Sequence, residues 1–308
     1  MSDKPSSRRI VLNVDDIGMS GLLNDYFDAI LYDIRHCKKR TKEVLAYHDL
    51  YHSVLAHQRA QVLEDLKVAL AQHTTSFKFQ GWSRIVAYQH ANHPLSASGS
   101  VYNDPGGRFN IGAIDPLRFP PFPALYVAKD FPTAFKEVYG QTTKVGNLQL
   151  TESELALANG ASMAKVCICG YIEHVLNILD PSALKEFVDS IKGFKLSQDL
   201  YKRARTLKLH LPRIIKDVPT LQSVLLSHDW RNTPQLVDTP APSQIFGQIA
   251  HAAGIEAILY QSVKTSKDCL AVFVENFENS TSYVELEGSI PPATTHSRLD
   301  STTWKDFV

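Results

Sequence analysis

Apolar positions along the first quarter of the chain recur at helical spacing. After a polar start and a short apolar run at Ile10–Val14, the residues Leu23, Phe27, Ile30, Leu31 and Ile34 predict a helix that begins near Ser20 or Asn24 and ends at about Cys37. The basic cluster KKRTK then interrupts the apolar pattern. Val44, Tyr47, Tyr51, Leu55, Val62, Leu66 and Leu70 form a second, longer stripe, so a helical hairpin is expected, joined to the rest of the chain at His73–Ser76.

From Phe77 the texture changes to short apolar runs between Gly, Pro and Asn punctuation. Strands are predicted at Trp82–Tyr88, Ala124–Ala128, Lys165–Cys169, Ala257–Gln261, Leu270–Val274 and Tyr283–Leu286. Helices are predicted at Phe131–Tyr139, with Pro132 acceptable in the first turn, and at Pro181–Ile191, Gln198–Thr206, Pro219–Ser227 and Ser243–Ala253. Loops are expected at Ser96–Gly107 and across the proline-rich stretch Pro116–Pro123. Helices and strands mix without regular βαβ alternation, which favours an α+β fold over a doubly wound sheet.

Composition narrows the function classes. Across 308 residues, Lys+Arg and Asp+Glu both total 32, giving zero formal net charge. A neutral chain is a poor general phosphate neutraliser and a poor electrostatic ligand for an anionic membrane, so neither nucleic-acid binding nor membrane adhesion is expected. MSDKPSSRR precedes IVLNVDD without a long apolar segment, and no stretch approaches transmembrane length, so a soluble cytoplasmic protein is expected. Cys37, Cys167, Cys169 and Cys269 form no C-x-x-C pair and read as buried free thiols of a reducing compartment.

Four segments carry candidate chemistry: GWSRIVAY with Arg84, DPGGRFN with Arg108 after Gly106 and Gly107, ALYVAKDFPTAFKE with Tyr126 and Glu137, and GIEAILYQSVKTSKDCLAVF with Ser262. In this order they resemble the RES domain, named for its arginine, glutamate and serine. HDWRNTP at His228–Pro234 resembles that family's linking segment before its last helix and strand. The resemblance spans roughly Trp82–Phe273. Phe109 stands where the family usually has Trp, and Gly140–Asp217 carries no motif that aligns.

The resemblance implies an ADP-ribosyltransferase-like split β-sheet core, with an α-helical N-terminal extension at residues 1–76 and the NAD-cleaving domain at 77–308. It implies NAD as substrate, with Glu137, Arg84 and Tyr126 catalytic, and with Arg108, Gly107, Asn110 and Ser262 binding the dinucleotide. The residue types suit those roles. Guanidinium groups at Arg84 and Arg108 match a pyrophosphate. Gly106 and Gly107 permit close backbone approach. Tyr126 offers a face to the nicotinamide ring. Glu137 would stabilise the oxocarbenium-like ribose left when the nicotinamide bond breaks, and Ser262 would bond the ribose or position Glu137. The implied biology is a toxin that degrades NAD by hydrolysis or phosphorolysis and arrests growth, silenced by a separately encoded Xre-type antitoxin. A protein mono-ADP-ribosyltransferase and a non-catalytic binding module on the same fold are the alternatives.

Other chemistry is weaker. His48 and His52 lie one helical turn apart, a spacing that can ligate zinc, but Asp49 stands where zincins carry Glu and no third ligand is evident, so no metal is expected. NVDDIG resembles a strand end of certain carbohydrate deacetylases, yet helices follow where that fold needs histidines. Ser262 lacks a G-x-S-x-G elbow. The N-terminal stripe suits packing onto the domain first, as the default for a core-facing helix, and then a homo-oligomer interface, a partner or a delivery role.

Overall fold

The computed structural model describes residues 19–140, 163–288, 290 and 293–308, with side chains from residue 37 onward. The run Ile10–Val14, the NVDDIG motif and part of the unaligned stretch lie outside the described residues, as do the side chains of the first predicted stripe.

The N-terminal region differs from the expected hairpin. Helix α1 runs unbroken over Met19–Gln61, through the basic cluster, and α2 follows at Leu63–Ala71. Lysine and arginine are good helix formers, so their charge removes the apolar stripe without stopping the helix. The break falls instead at Val62, whose backbone leaves helical values at φ −121° and ψ 18°. The change of direction brings Leu66, Ala69 and Leu70 of α2 into the main hydrophobic core.

The second half of α1 packs on the chain's own later segments. Tyr47 is buried with Leu200, Ala204 and Leu207. The Tyr51 hydroxyl donates to the Arg213 carbonyl at 2.8 Å. Gln58 brackets Lys195 by donating to its carbonyl at 2.9 Å and accepting from its amide at 2.7 Å. His48 and His52 gather no metal set; among the described residues no group of three or more His, Cys, Asp or Glu side chains is placed to hold a metal ion.

Instead, His52 sits edge-on to Phe119 with ring centroids 5.1 Å apart. Burial, aided by Arg59 and Arg118, pushes its imidazole down to about 4. A histidine whose folded value lies below its unfolded value of about 6.5 binds protons more weakly when folded, so its contribution is complete above that value and is lost as pH falls toward 4. The melting temperature is therefore expected to drop as pH goes from about 6.5 to 4, and the drop should be shallower in His52→Gln. Parallel thermal melts of the two proteins across this window check the sign.

Among the described residues, seven strands build the sheet in the order β1-β2-β5-β4-β3-β6-β7, and β1 also pairs with β3. They are β1 (Thr74–Ala87), β2 (Leu125–Ala128), β3 (Met163–Asn177), β4 (Ala257–Gln261), β5 (Asp268–Val272), β6 (Tyr283–Glu287) and β7 (Arg298–Asp300). The β1–β3 pairing closes a ring through β2, β5 and β4, with β6 and β7 extending from β3. The fold is thus mixed α+β, with N-terminal helices and a sheet that closes on itself.

Two strands are longer than their apolar runs suggested. β1 continues through Gly81, which takes φ 70° where the register with β3 shifts between Phe79 and Trp82. Such a bulge lets glycine sit inside a strand. The carboxylate of Glu287 accepts from the Gly81 amide at 2.7 Å. β3 runs on to Asn177 because its later residues pair with β1 on one side and with β4 on the other.

Short helices complete the chain: α3 (Gly99–Tyr102), α4 (Phe131–Tyr139), α5 (Lys185–Ile191), α6 (Gln198–Thr206), α7 (Val218–Leu225), α8 (Asn232–Val237) and α9 (Pro242–Ala252). α3, which falls inside the expected loop Ser96–Gly107, α8 and β7 are each too short to establish a period along the sequence. The side chains of β2 and β5 alternate between two cores. Leu125, Val127, Leu270 and Val272 enter one; Ala128, Cys269 and Ala271 enter the other, with Tyr126 packed against it. Tyr126 therefore lies on the face that the helices cover. All four cysteines are free thiols, but only Cys269 is buried and Cys37 is exposed. No helix among the described residues is long and apolar enough to cross a membrane.

Candidate active site

The loop before β2 is folded around a single amide. Asn110 is 0% exposed. Its Nδ2 donates to the carbonyls of Ser100 at 3.1 Å and Phe122 at 3.0 Å. Its Oδ1 accepts from the Gly107 amide and the Tyr126 hydroxyl, each at 2.9 Å. Both donors and the acceptor are thereby engaged within the protein. Asn110 was expected to contact the dinucleotide; it is instead part of the scaffold. Asn110→Ala leaves several buried groups without partners, each costing about 1–3 kcal/mol, so a marked loss of stability in urea denaturation is expected.

Gln244 of α9 holds the same loop from the other side. Its Nε2 donates to the carbonyls of Pro105 at 2.8 Å, Gly107 at 3.1 Å and Asn110 at 3.0 Å. Gly106 takes φ 94°, a conformation open to glycine. Gly107 is needed for space, because a Cβ there would collide with the ring of Tyr126. The Tyr126 hydroxyl also accepts from the Phe109 amide at 2.9 Å, so the ring is pinned at its tip. Burial pushes the phenol well above its ordinary value and keeps it neutral.

This loop delivers Arg108, which is 6% exposed. Its Nη1 donates to the carbonyls of Ser227 at 2.8 Å and Leu225 at 3.1 Å, which leaves the Nε and Nη2 hydrogens for other partners. Arg84 is held more completely. It donates through Nε to Pro94 at 2.9 Å, through Nη1 to Tyr126 at 3.0 Å and through Nη2 to Ser96 at 2.8 Å, all at backbone carbonyls. Burial lowers its guanidinium to about 10, so it stays charged at neutral pH. Arg84 therefore ties the wall at Pro94–Ser96 to β2, with two N–H hydrogens uncommitted.

Glu137 comes from the last turn of α4. Asp130 caps that helix by accepting from the Thr133 amide at 2.8 Å, and Pro132 lies in the first turn as the sequence suggested. The Glu137 Oε1 accepts a hydrogen bond of 2.5 Å from Ser262 Oγ. Ser262 itself is 1% exposed and lies behind Glu137 rather than on the cleft wall. Ser262 thus touches Glu137 directly through its hydroxyl.

Arg84, Gly107, Arg108, Tyr126 and Glu137 all line one cleft of about 1010 Å³. That is the size of a site for a substantial organic ligand. Asn110 and Ser262 support the lining from behind. Sequence reasoning missed Trp230, Arg231 and Tyr260, which also face the cleft. Arg231 lies over the Trp230 ring at 4.4 Å, and Arg108 approaches the same ring at 5.7 Å. The signal was present in HDWRNTP and in the strand AILYQ, but neither segment assigns a role to a particular residue.

The lining sets three arginines against two carboxylates, Glu137 and Asp306. Burial lowers both Arg108 and Arg231, and Arg108 lowers Arg231 further. Two desolvated like charges on one wall are relieved by an anion between them. The cleft thus combines guanidinium groups, aromatic rings and one anchored carboxylate.

Residues 159–288 match the family model of the RES domain. Ser262, Trp230, Arg231 and Tyr260 fall within that span, whereas Arg84, Arg108, Tyr126 and Glu137 precede it. No curated protein matches the chain. The chain is also similar to a solved Mycobacterium tuberculosis MbcT–MbcA toxin–antitoxin complex, with 14% identity, a TM-score of 0.42, and coverage of 79% of this chain and 97% of that one. A likeness at that level carries no argument about function.

Proposed function

From the match of residues 159–288 to the RES domain, we propose that the chain is an enzyme that cleaves the nicotinamide–ribose bond of NAD. The observation that supports this most is the convergence of Arg84, Arg108, Tyr126 and Glu137, far apart in the chain, on one cleft. The proposal includes an ADP-ribosyltransferase-like split-sheet core beginning near residue 77. It includes a biological role as a growth-arresting toxin, acting in the cytoplasm and restrained by a separately encoded antitoxin that occupies the cleft.

In this reading Arg108 and Arg231 receive the pyrophosphate, and the nicotinamide end of the substrate rests among Tyr126, Tyr260 and Glu137. The N-glycosidic bond breaks with its electron pair leaving on the nicotinamide nitrogen, which becomes neutral. The positive charge passes to the ribose as an oxocarbenium-like centre. The Glu137 carboxylate, held by Ser262, stabilises that charge as it develops. Water adds to the anomeric carbon and releases a proton, giving ADP-ribose; in phosphorolysis a phosphate oxygen takes the place of water. Gly107 keeps the Tyr126 ring close to the loop, and Arg84 supports the wall beside it.

The deciding experiment is to incubate purified protein with NAD, with and without phosphate, and identify the products. Free nicotinamide with ADP-ribose or its phosphorylated form is expected. NAD recovered intact would leave a non-catalytic binding module, and label transferred from NAD onto a macromolecule would make the protein an ADP-ribosyltransferase.

A further inference from the structure

The turn between β4 and β5 touches α4 at three places. Ser262 Oγ donates to the Glu137 carboxylate. The hydroxyls of Thr265 and Thr133 share a hydrogen bond of 3.0 Å. Lys264 Nζ donates to the Lys136 carbonyl at 2.8 Å and reaches the Glu137 carbonyl at 3.3 Å. The contacts run from the first turn of α4 to its last.

The turn is itself held in shape. The Ser262 amide donates to the Lys267 carbonyl and the Ser266 amide donates to the Ser262 carbonyl, each at 2.8 Å. The Lys264 amide donates to Ser262 Oγ at 3.2 Å, so the hydroxyl that grips Glu137 is oriented by the residue that grips the helix end. Ser266 takes φ 56°, which closes the turn.

α4 needs such support. It has nine residues, a length at which a helix in water is marginal. The Gly140 amide caps the Lys136 carbonyl at 2.8 Å, but the last carbonyls of a helix have spare acceptor capacity and its C-terminal end carries partial negative charge. Lys264 supplies hydrogen bonds and a cation at that end. Glu137 lies in the same last turn, so fraying there would move the carboxylate away from the cleft.

We propose that the β4–β5 turn is a clamp on α4, in which Lys264 is a positioning residue for Glu137. This rests on the NAD-cleaving reading for its consequence in catalysis and on the contacts above for the clamp. A carboxylate that must meet a developing charge tolerates little displacement; a misplacement of about 1 Å costs about 10²-fold in rate. Lys264 acts through the backbone of α4 and needs no contact with substrate.

The test combines hydrogen exchange over Phe131–Tyr139 with steady-state nicotinamide release, in the wild type, Lys264→Met and Lys264→Arg. Methionine keeps the aliphatic stem and removes the ammonium. In Lys264→Met, last-turn amides of α4 should exchange about tenfold faster or more as local opening becomes easier. Its kcat should fall about 10- to 100-fold, with KM changed less than about threefold. Lys264→Arg should restore both to within about threefold, because it keeps a cation and donors at the helix end. Unchanged exchange overturns the clamp, and faster exchange with unchanged kcat overturns the positioning role. A wild type that releases no nicotinamide removes the enzyme reading alone, and exchange then decides the clamp. Should Lys264→Met fail to fold, Thr265→Val, which removes only the Thr133 contact, must speed exchange in α4 or the clamp is wrong.

Discussion

Glu137→Gln is expected to cut nicotinamide release about 10²–10³-fold while leaving the fold intact, the scale of removing one preorganised electrostatic group. Glutamine has the size of glutamate, and its amide oxygen can still accept from Ser262 Oγ. The substitution therefore removes charge and little else. In bound NAD the positive charge sits on the nicotinamide ring and passes to the ribose only as the bond breaks, so the loss should fall on kcat, with KM changed only a few-fold. Stopped-time assays of nicotinamide release, with a thermal melt of the same sample, separate this from misfolding. If Glu137→Gln and the wild type release nicotinamide equally, Glu137 does not act on the reacting centre. In cells, induced wild-type protein should deplete NAD and halt growth, and Glu137→Gln should do neither.

The second large effect is expected at Arg231, a residue that the motifs did not assign. Arg231 lines the cleft with Arg108, and both approach the face of Trp230. A charge-assisted hydrogen bond contributes about 1.5–3 kcal/mol, so Arg231→Ala should lower kcat/KM about 10- to 100-fold. The change should sit mainly in KM, because a pyrophosphate is bound alike in the ground and transition states. Arg231→Lys should recover only part, since an ammonium lacks the planar fork that meets two phosphate oxygens. Titration with NAD at increasing ionic strength gives a second measure: affinity should fall with salt in the wild type and less steeply in Arg231→Ala. An Arg231→Ala protein with wild-type KM would move the anion site elsewhere on the wall.

Arg84 and Asn110 illustrate how the same residue types take other roles. Both looked like ligand contacts in the sequence, one as a phosphate-binding cation and the other as a polar group after a glycine pair. Asn110 is enclosed by Gly107, Tyr126, Ser100 and Phe122, and three Arg84 donors are taken by carbonyls. Asn110 can act on a ligand through the shape of the wall, whereas Arg84 still lines the cleft with two N–H hydrogens uncommitted. Arg108 and Glu137 are held at one side only and keep capacity facing the cleft.

The sequence by itself determined the mixed α+β class and the bounds of α4 and α6, and it offered Arg84, Arg108, Tyr126, Glu137 and Ser262 as candidates, the first four of which line one cleft. Those features are local: periodicity, capping residues and short motifs act over a few residues and are visible in one dimension. It also fell short locally, splitting α1 at a basic cluster that helices tolerate and starting β1 at Trp82, just after a glycine that sits in a bulge. The tertiary structure alone decided that β1 closes onto β3, that Trp230, Arg231 and Tyr260 join the cleft, and which polar groups are satisfied inside the protein. Hydrogen-bond satisfaction and convergence depend on residues separated by tens to hundreds of positions, such as Glu137 with Ser262 or Arg108 with Ser227. No spacing along the chain encodes that distance; packing does.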